Sequence, residues 1–198
     1  MKVLQVVHDF LPASTAGVEV FVHDLAHALL DEGDDVAVAH TVRGSGLAQY
    51  SLTRGALGEL RTWRLVQNYP YRPMEDAAKD PQAERRFAEL LDRERPDVVH
   101  VHHLWGWSTG LPEQARAAGV PVVLHLHDHW LACPSGGQRM RADGALCEVL
   151  EPDECDACYA GFRSREGPLE RWGLRAASLL PRGAPPDLLH RSFAALPE

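Results

Sequence analysis

Apolar positions along the chain fall into short runs and stripes that alternate in period. Lys2 to Val7 is a mainly apolar run of the kind that forms a strand. Val18, Phe21, Val22, Leu25, Ala28 and Leu29 share one stripe at helical spacing, so a helix is expected from Val18 to Asp31, with Gly33 as its stop. Asp35 to His40 reads as a second strand and Leu60 to Val66 as a weaker third. Between them, residues 43–58 hold several Gly and Ser and no clear period, which predicts a loop with a poorly defined helix. Pro81 to Glu94 is a second helix with Ala83, Phe87, Leu90 and Leu91 inward, ended by Arg95-Pro96. Asp97 to His102 and Pro121 to His127 are the fourth and fifth strands, joined by a helix from about Ser108 to Ala118.

Strands alternating with helices imply a parallel sheet with right-handed crossovers. VVHVH and PVVLHLH are nearly continuous apolar runs, as strands covered on both faces require. The fold class expected is therefore α/β, a Rossmann-like doubly wound parallel sheet with helices on both faces. Residues 133–160 break the pattern with Gly, Pro, Cys and acidic residues, and read as an excursion from a single domain spanning 1–198. Beyond Pro168 two helical stretches are expected, split by PRGAPP.

Composition narrows the function. The 198 residues carry a formal net charge of -8, which argues against nucleic acid as a partner. No apolar run approaches the roughly 20 residues of a spanning helix, and MKVLQVVHDF lacks a signal peptide's long apolar core. A cytoplasmic location is expected. Arg163, Arg165, Arg171, Arg175 and Arg182 interleave with Leu169, Trp172, Leu174, Leu179 and Leu180, which fits an ordinary surface helix or an interfacial helix on the inner membrane face.

All four cysteines, Cys133, Cys147, Cys155 and Cys158, lie in the excursion. Four thiols ending in C-x2-C match the ligand number of a closed tetrahedral site, and in a reducing compartment structural zinc is the first reading. Free thiols or disulfides are the alternative. The segment HLHDHWLACP, 125–134, adds three histidines and an aspartate. A metallohydrolase would show H-x-H-x-D-H, whereas His125-Leu126-His127-Asp128-His129 is one residue short before the aspartate, so that reading stands as a minor alternative.

Ligands of doubly wound sheets bind beyond the carboxyl ends of the strands. There strand one exits at His8-Asp9, strand four through His100, His102 and His103, and strand five through His125, His127, Asp128 and His129. The first βα connection, HDFLPASTAGVEV, has neither G-x-G-x-x-G nor a Walker A loop. Instead Ala16-Gly17 opens a helix whose N-terminus suits a phosphate, or is a plain tight turn.

In order, LPASTAGVEV, LAHALLDEGDDV, PDVVHVHHLWG, PVVLHLHDHW and the later WLACP, LCE and CDAC resemble glycosyltransferase family 4, in its Cys-rich subset. The family has the two-domain GT-B architecture, so the resemblance implies the N-terminal, acceptor-side domain of a retaining enzyme that moves a sugar from a nucleotide-sugar donor to an acceptor. It implies no catalytic metal. His127 would face the transferred sugar, Ala16 and Gly17 the donor diphosphate and acceptor, and His102, His103 and Asp128 would bind substrate. Ala16 stands where the family usually has the first glycine of a pair. A donor-binding C-terminal domain, which the family's enzymes use, is not read in these 198 residues, so a fragment working with its own C-terminal domain is expected. The rival reading is a non-catalytic, metal-stabilised binding module.

Overall fold

The computed structural model describes residues 1–43, 47–68, 79–133, 137, 139–141, 143–148, 151, 153–155 and 158. The chain divides into two compact units, Met1–His125 and Leu126–Glu198. In the first unit lie β1 (Lys2–Val6), α1 (Gly17–Asp31), β2 (Asp35–Val42), β3 (Leu52–Leu57), β4 (Leu60–Val66), α2 (Pro81–Glu94), β5 (Val98–Val101), α3 (Leu111–Ala117) and β6 (Val122–Leu124). Six strands form one sheet in the order β3-β4-β2-β1-β5-β6. All neighbours are parallel except β3 and β4. The fold is Rossmann-like α/β. From β1 the chain crosses to β2 on one side, and later from β4 over to β5 and on to β6 on the other. Right-handed crossovers in opposite directions put α1 on one face and α2 and α3 on the other.

Two expectations are corrected. The loop expected over 43–58 contains β3, a strand antiparallel to β4 through a two-residue turn at Gly58-Glu59. Gly58 has φ +59°, a conformation glycine adopts without steric cost. SLTRGAL hides this strand because it is an edge: Thr53 and Arg54 are exposed, so no apolar alternation marks it. The inward stripe of α1 is also rotated. Glu19, Val22 and Ala26 are buried, while Phe21 and Ala28 are exposed. In α2 the expected Ala83, Phe87, Leu90 and Leu91 are buried, joined by Glu94.

The core beneath α1 gathers Val3, Val7, Phe10, Val22, Ala26, Val36, Val38 and Leu60. Fully burying side chains of this size contributes about 1.5–3 kcal/mol each. Polar ties fix the ends of the sheet. Asp80 caps α2 by accepting from the N–H groups of Gln82 and Ala83 at 3.0 and 3.2 Å, and also accepts from the Tyr50 hydroxyl at 2.9 Å. The Asp80 N–H donates to Ser108 Oγ at 3.1 Å, and that hydroxyl donates to Glu84 at 2.6 Å. The loop after β5 is thereby tied to the start of α2.

At the opposite end, Glu94 accepts from the Trp63 indole at 2.5 Å and from both arms of the Arg61 guanidinium at 3.1 and 3.0 Å, with Lys2 Nζ at 3.1 Å. Burial works to raise the Glu94 carboxyl. The bonds from Trp63, Lys2 and Arg61 outweigh it and hold the group below its ordinary value of 4.5. A depressed carboxyl stabilises the fold above its unfolded value, and that contribution is lost as pH falls through the folded value. Charged hydrogen bonds of this kind contribute about 1.5–3 kcal/mol. Glu94→Gln is expected to lower stability by about that amount at neutral pH. Denaturant melts should then show its gap to the parent narrowing as pH drops below 4.5; a gap unchanged with pH would contradict the assignment.

No helix among the described residues is long and apolar enough to cross a membrane. The two helical stretches expected beyond Pro168, and the Arg163–Arg182 segment, lie outside the described residues.

Candidate functional site

Strand order reverses between β1 and β5, because β1 leads outward to β2 while β5 leads outward to β6. Loops leaving these two strands part to opposite faces and leave a crevice at their carboxyl ends. Four segments of the first unit supply its walls: His8 to Gly17, the end of β2, His102 to Trp107, and His125.

Both parts of the loop after β1 are held. The His8 carbonyl accepts from the Thr41 N–H at 2.8 Å and from the Thr41 hydroxyl. The Val7 carbonyl accepts from the buried Trp107 indole at 2.8 Å. Gly106, with φ +74°, lets that loop pass close to Thr41, where a Cβ would come within 3.1 Å of the threonine hydroxyl. The crevice floor is thus pinned from both neighbouring strands.

The side chains there are mostly imidazoles, with two acids, Asp9 and Glu19. His8 Nε2 lies 3.2 Å from Glu19 Oε1. Glu19 is 1% exposed, and neither its Oε2 nor His8 Nδ1 meets a hydrogen-bond partner among the described residues. The His8 ring packs 4.5 Å from His103 and lies nearly parallel to Trp105 at 6.1 Å. His103 Nδ1 accepts from the Trp105 N–H at 3.0 Å. His40, at the end of β2, is held below its ordinary pKa by burial.

A second group lies on the α1 face. His100, His102 and His125 bring one nitrogen each within 4.8 Å of the others. Phe21 of α1 stands edge-on to His125 at 4.8 Å. His102 and His103, expected side by side, therefore join different clusters. Successive residues at a strand end point to opposite faces.

Ala16 and Gly17 are both exposed at the start of α1, and a Cβ on Gly17 would meet nothing within 4 Å. The first intrahelical bond runs from the Val20 N–H to the Ala16 carbonyl at 3.1 Å, so the N–H groups of Gly17, Val18 and Glu19 precede the ladder.

The second unit holds the rest of the expected site. β6 ends at Leu124, so His127 lies in a bend after the strand rather than on it. His127 is half-buried; Asp128 and His129 are exposed. Asp128 Oδ1 accepts from the Trp130 N–H at 2.8 Å and shapes that bend. A hairpin follows, bridged between Met140 and Leu146, with a turn held by the Gly144 N–H to the Arg141 carbonyl at 2.9 Å. Cys147 ends the hairpin, Cys155 and Cys158 lie on helical turns, and Cys133 is buried. No disulfide joins any of the four. Among the described residues two groups of three metal-capable side chains converge, His100-His102-His125 and His8-Asp9-Glu19, and neither contains a cysteine.

Glu19, Trp105 and Gln5 are the site residues that the sequence reading passed over. Glu19 had a signal: it precedes Val22 by three positions, which puts an acid on the buried stripe of α1.

The crevice at a topological switch point, with an open helix N-terminus at its rim, defines a Rossmann-like ligand-binding domain. The chain belongs to Glycosyltransferase Family 4, whose profile matches residues 15–180, and its function is of the glycosyltransferase type. No curated protein matches the sequence. Among solved structures, the C-terminal domain of a hydrogenase from Pyrococcus furiosus is matched at 19% identity, over 63% of this chain and 90% of that chain, with a TM-score of 0.37. That likeness is too loose to bear on fold or function.

The His8–Glu19 pair joins the loop after β1 to α1. Glu19→Gln keeps the volume and removes the charge, and is expected to cost about 1–3 kcal/mol of stability. Urea unfolding of the variant measures this; a midpoint equal to the parent's would show that the pair contributes nothing.

Proposed function

We propose that this chain is the acceptor-side domain of a retaining glycosyltransferase that draws its sugar from a nucleotide-sugar, the nucleotide being held by a C-terminal donor domain. The observation that supports this most, beside family membership, is the start of α1. Its first N–H groups stand at the carboxyl end of β1 with Ala16 and Gly17 exposed, and Gly17 leaves room for a phosphate to approach. Glu19, the acid of that first turn, is buried and lies 3.2 Å from His8.

In this reading the bond from the anomeric carbon to the diphosphate oxygen breaks, the acceptor oxygen bonds to the same face of that carbon, and the acceptor hydroxyl's proton passes to the departing diphosphate oxygen. Negative charge grows on the departing diphosphate, and the α1 N–H groups at Ala16-Gly17 meet it. By the family resemblance His127 would hydrogen-bond the transferred sugar, Asp128 would contact substrate, and His103 would line the acceptor side.

A hydrogen bond made mainly in the transition state is worth about 2–4 kcal/mol, or roughly 30- to 1,000-fold in rate. His127→Ala, in protein carrying the donor domain, is expected to lose turnover by that factor with little change in donor affinity. His129→Ala should be much milder. Radiolabelled sugar transfer read for both variants decides, and near-normal turnover in His127→Ala would overturn the assignment.

Cys133, Cys147, Cys155 and Cys158 we read as a structural zinc site. A hairpin bearing Cys147 followed by a C-x2-C pair on helical turns supports it. The sulfurs would draw together on binding and take the place of an apolar core. Elemental analysis of chelator-free protein should find about one zinc per chain; less than about half an equivalent of any metal counts against the site.

A further inference from the structure

We infer that His100, His102 and His125 form a binding site for a divalent transition-metal ion, set into the α1 face of the sheet and separate from the cysteines. Sugar transfer is not a premise of this site. Strand geometry brings the three together. His100 and His102 alternate onto one face at the end of β5. The β5–β6 register pairs Val101 with Leu124, so the next step along both chains sets His102 beside His125. The His125 N–H donates to the Val101 carbonyl at 2.8 Å and holds that step in place.

Ring centroids lie 4.1 Å apart for His100 and His102, 5.6 Å for His102 and His125, and 5.8 Å for His100 and His125. One nitrogen of each falls within 4.8 Å of the others. A tetrahedral ion with nitrogen ligands at about 2.0–2.1 Å separates them by about 3.3 Å, so closure needs movements of about 1 Å. Three imidazoles select zinc, nickel, cobalt or copper over magnesium or calcium, which prefer oxygen.

A second observation points to the same place. Gln5 pairs with His100 in the β1–β5 register, on the same face of the sheet. It is 0% exposed, and both atoms of its amide lack a hydrogen-bond partner among the described residues. A buried amide without partners costs free energy. A histidine that binds metal through one nitrogen presents an N–H on the other, and a neighbouring polar group normally accepts it. Gln5 Oε1 is suited to accept that N–H from His100. Phe21 covers the group from α1, 5.9 Å from His102 and 4.8 Å from His125. A bound ion would cross-link β6, three residues long, to β5.

Zinc titration of the full chain by calorimetry tests this, with cobalt absorption to identify the ligands. Cobalt on nitrogen alone lacks the near-ultraviolet charge-transfer bands of cobalt thiolate. The Cys155→Ser/Cys158→Ser double variant is expected to keep one tight zinc site. His125→Ala should weaken that site at least roughly 100-fold, more than the loss of an outer-shell partner costs, while His129→Ala leaves it unchanged. The double variant should also melt at a higher temperature when zinc is added. This second readout stands even if His125→Ala does not fold. Zinc binding that vanishes with the cysteines, unaltered affinity in His125→Ala, or no zinc-dependent shift in the double variant would each overturn the site.

Discussion

Everything at the crevice depends on β1 being paired in parallel on both of its edges. Val3 to Val6 are matched to Val36–Ala39 on one side and Val98–Val101 on the other. A strand held in this way cannot slip by one residue without turning its buried side chains to the wrong face. Its exit point is therefore fixed to the residue. His8 leaves the sheet at one place only, and its carbonyl is clamped by Thr41. Glu19 can meet it because α1 packs on the same core through Val22 and Ala26. The polar chemistry is arranged by apolar packing beneath it.

Much of this was legible in the sequence, for reasons that differ between elements. α2 was read to the residue because Pro81 and the Arg95-Pro96 stop mark both of its ends chemically. β4 was read to the residue as well. β3 was not, because an edge strand with Arg54 and Gly55 at its centre has little to bury and shows no alternation. β6 was drawn too long. Apolar content continues through Leu126, but ladder bonding ends when its neighbour β5 ends at Val101. Strand length is set by the partner as well as by the chain itself.

The same distinction governs the site. Histidines at three strand ends were visible as a list. Their sorting into His8-His103 and His100-His102-His125 was not, because it depends on which face each strand end presents and on the register between β5 and β6. Gln5 looked like an ordinary strand residue, and only the sheet shows that its amide is sealed in. Family membership carries the general chemistry, while the contacts that distinguish this chain appear only after folding.

The two margins of the sheet differ in how they meet other molecules. β3 closes one margin with an exposed arginine and a tight hairpin, features that discourage further strand pairing. β6 closes the other, among the described residues, with Val123 and Leu124 about half exposed and no charge of its own. Association through backbone pairing would therefore have a direction. The β3 margin disfavours growth, and a further strand beside the five parallel ones would be templated at the β6 margin. An added strand there, from this chain or another, would extend the sheet on the side where the histidines lie.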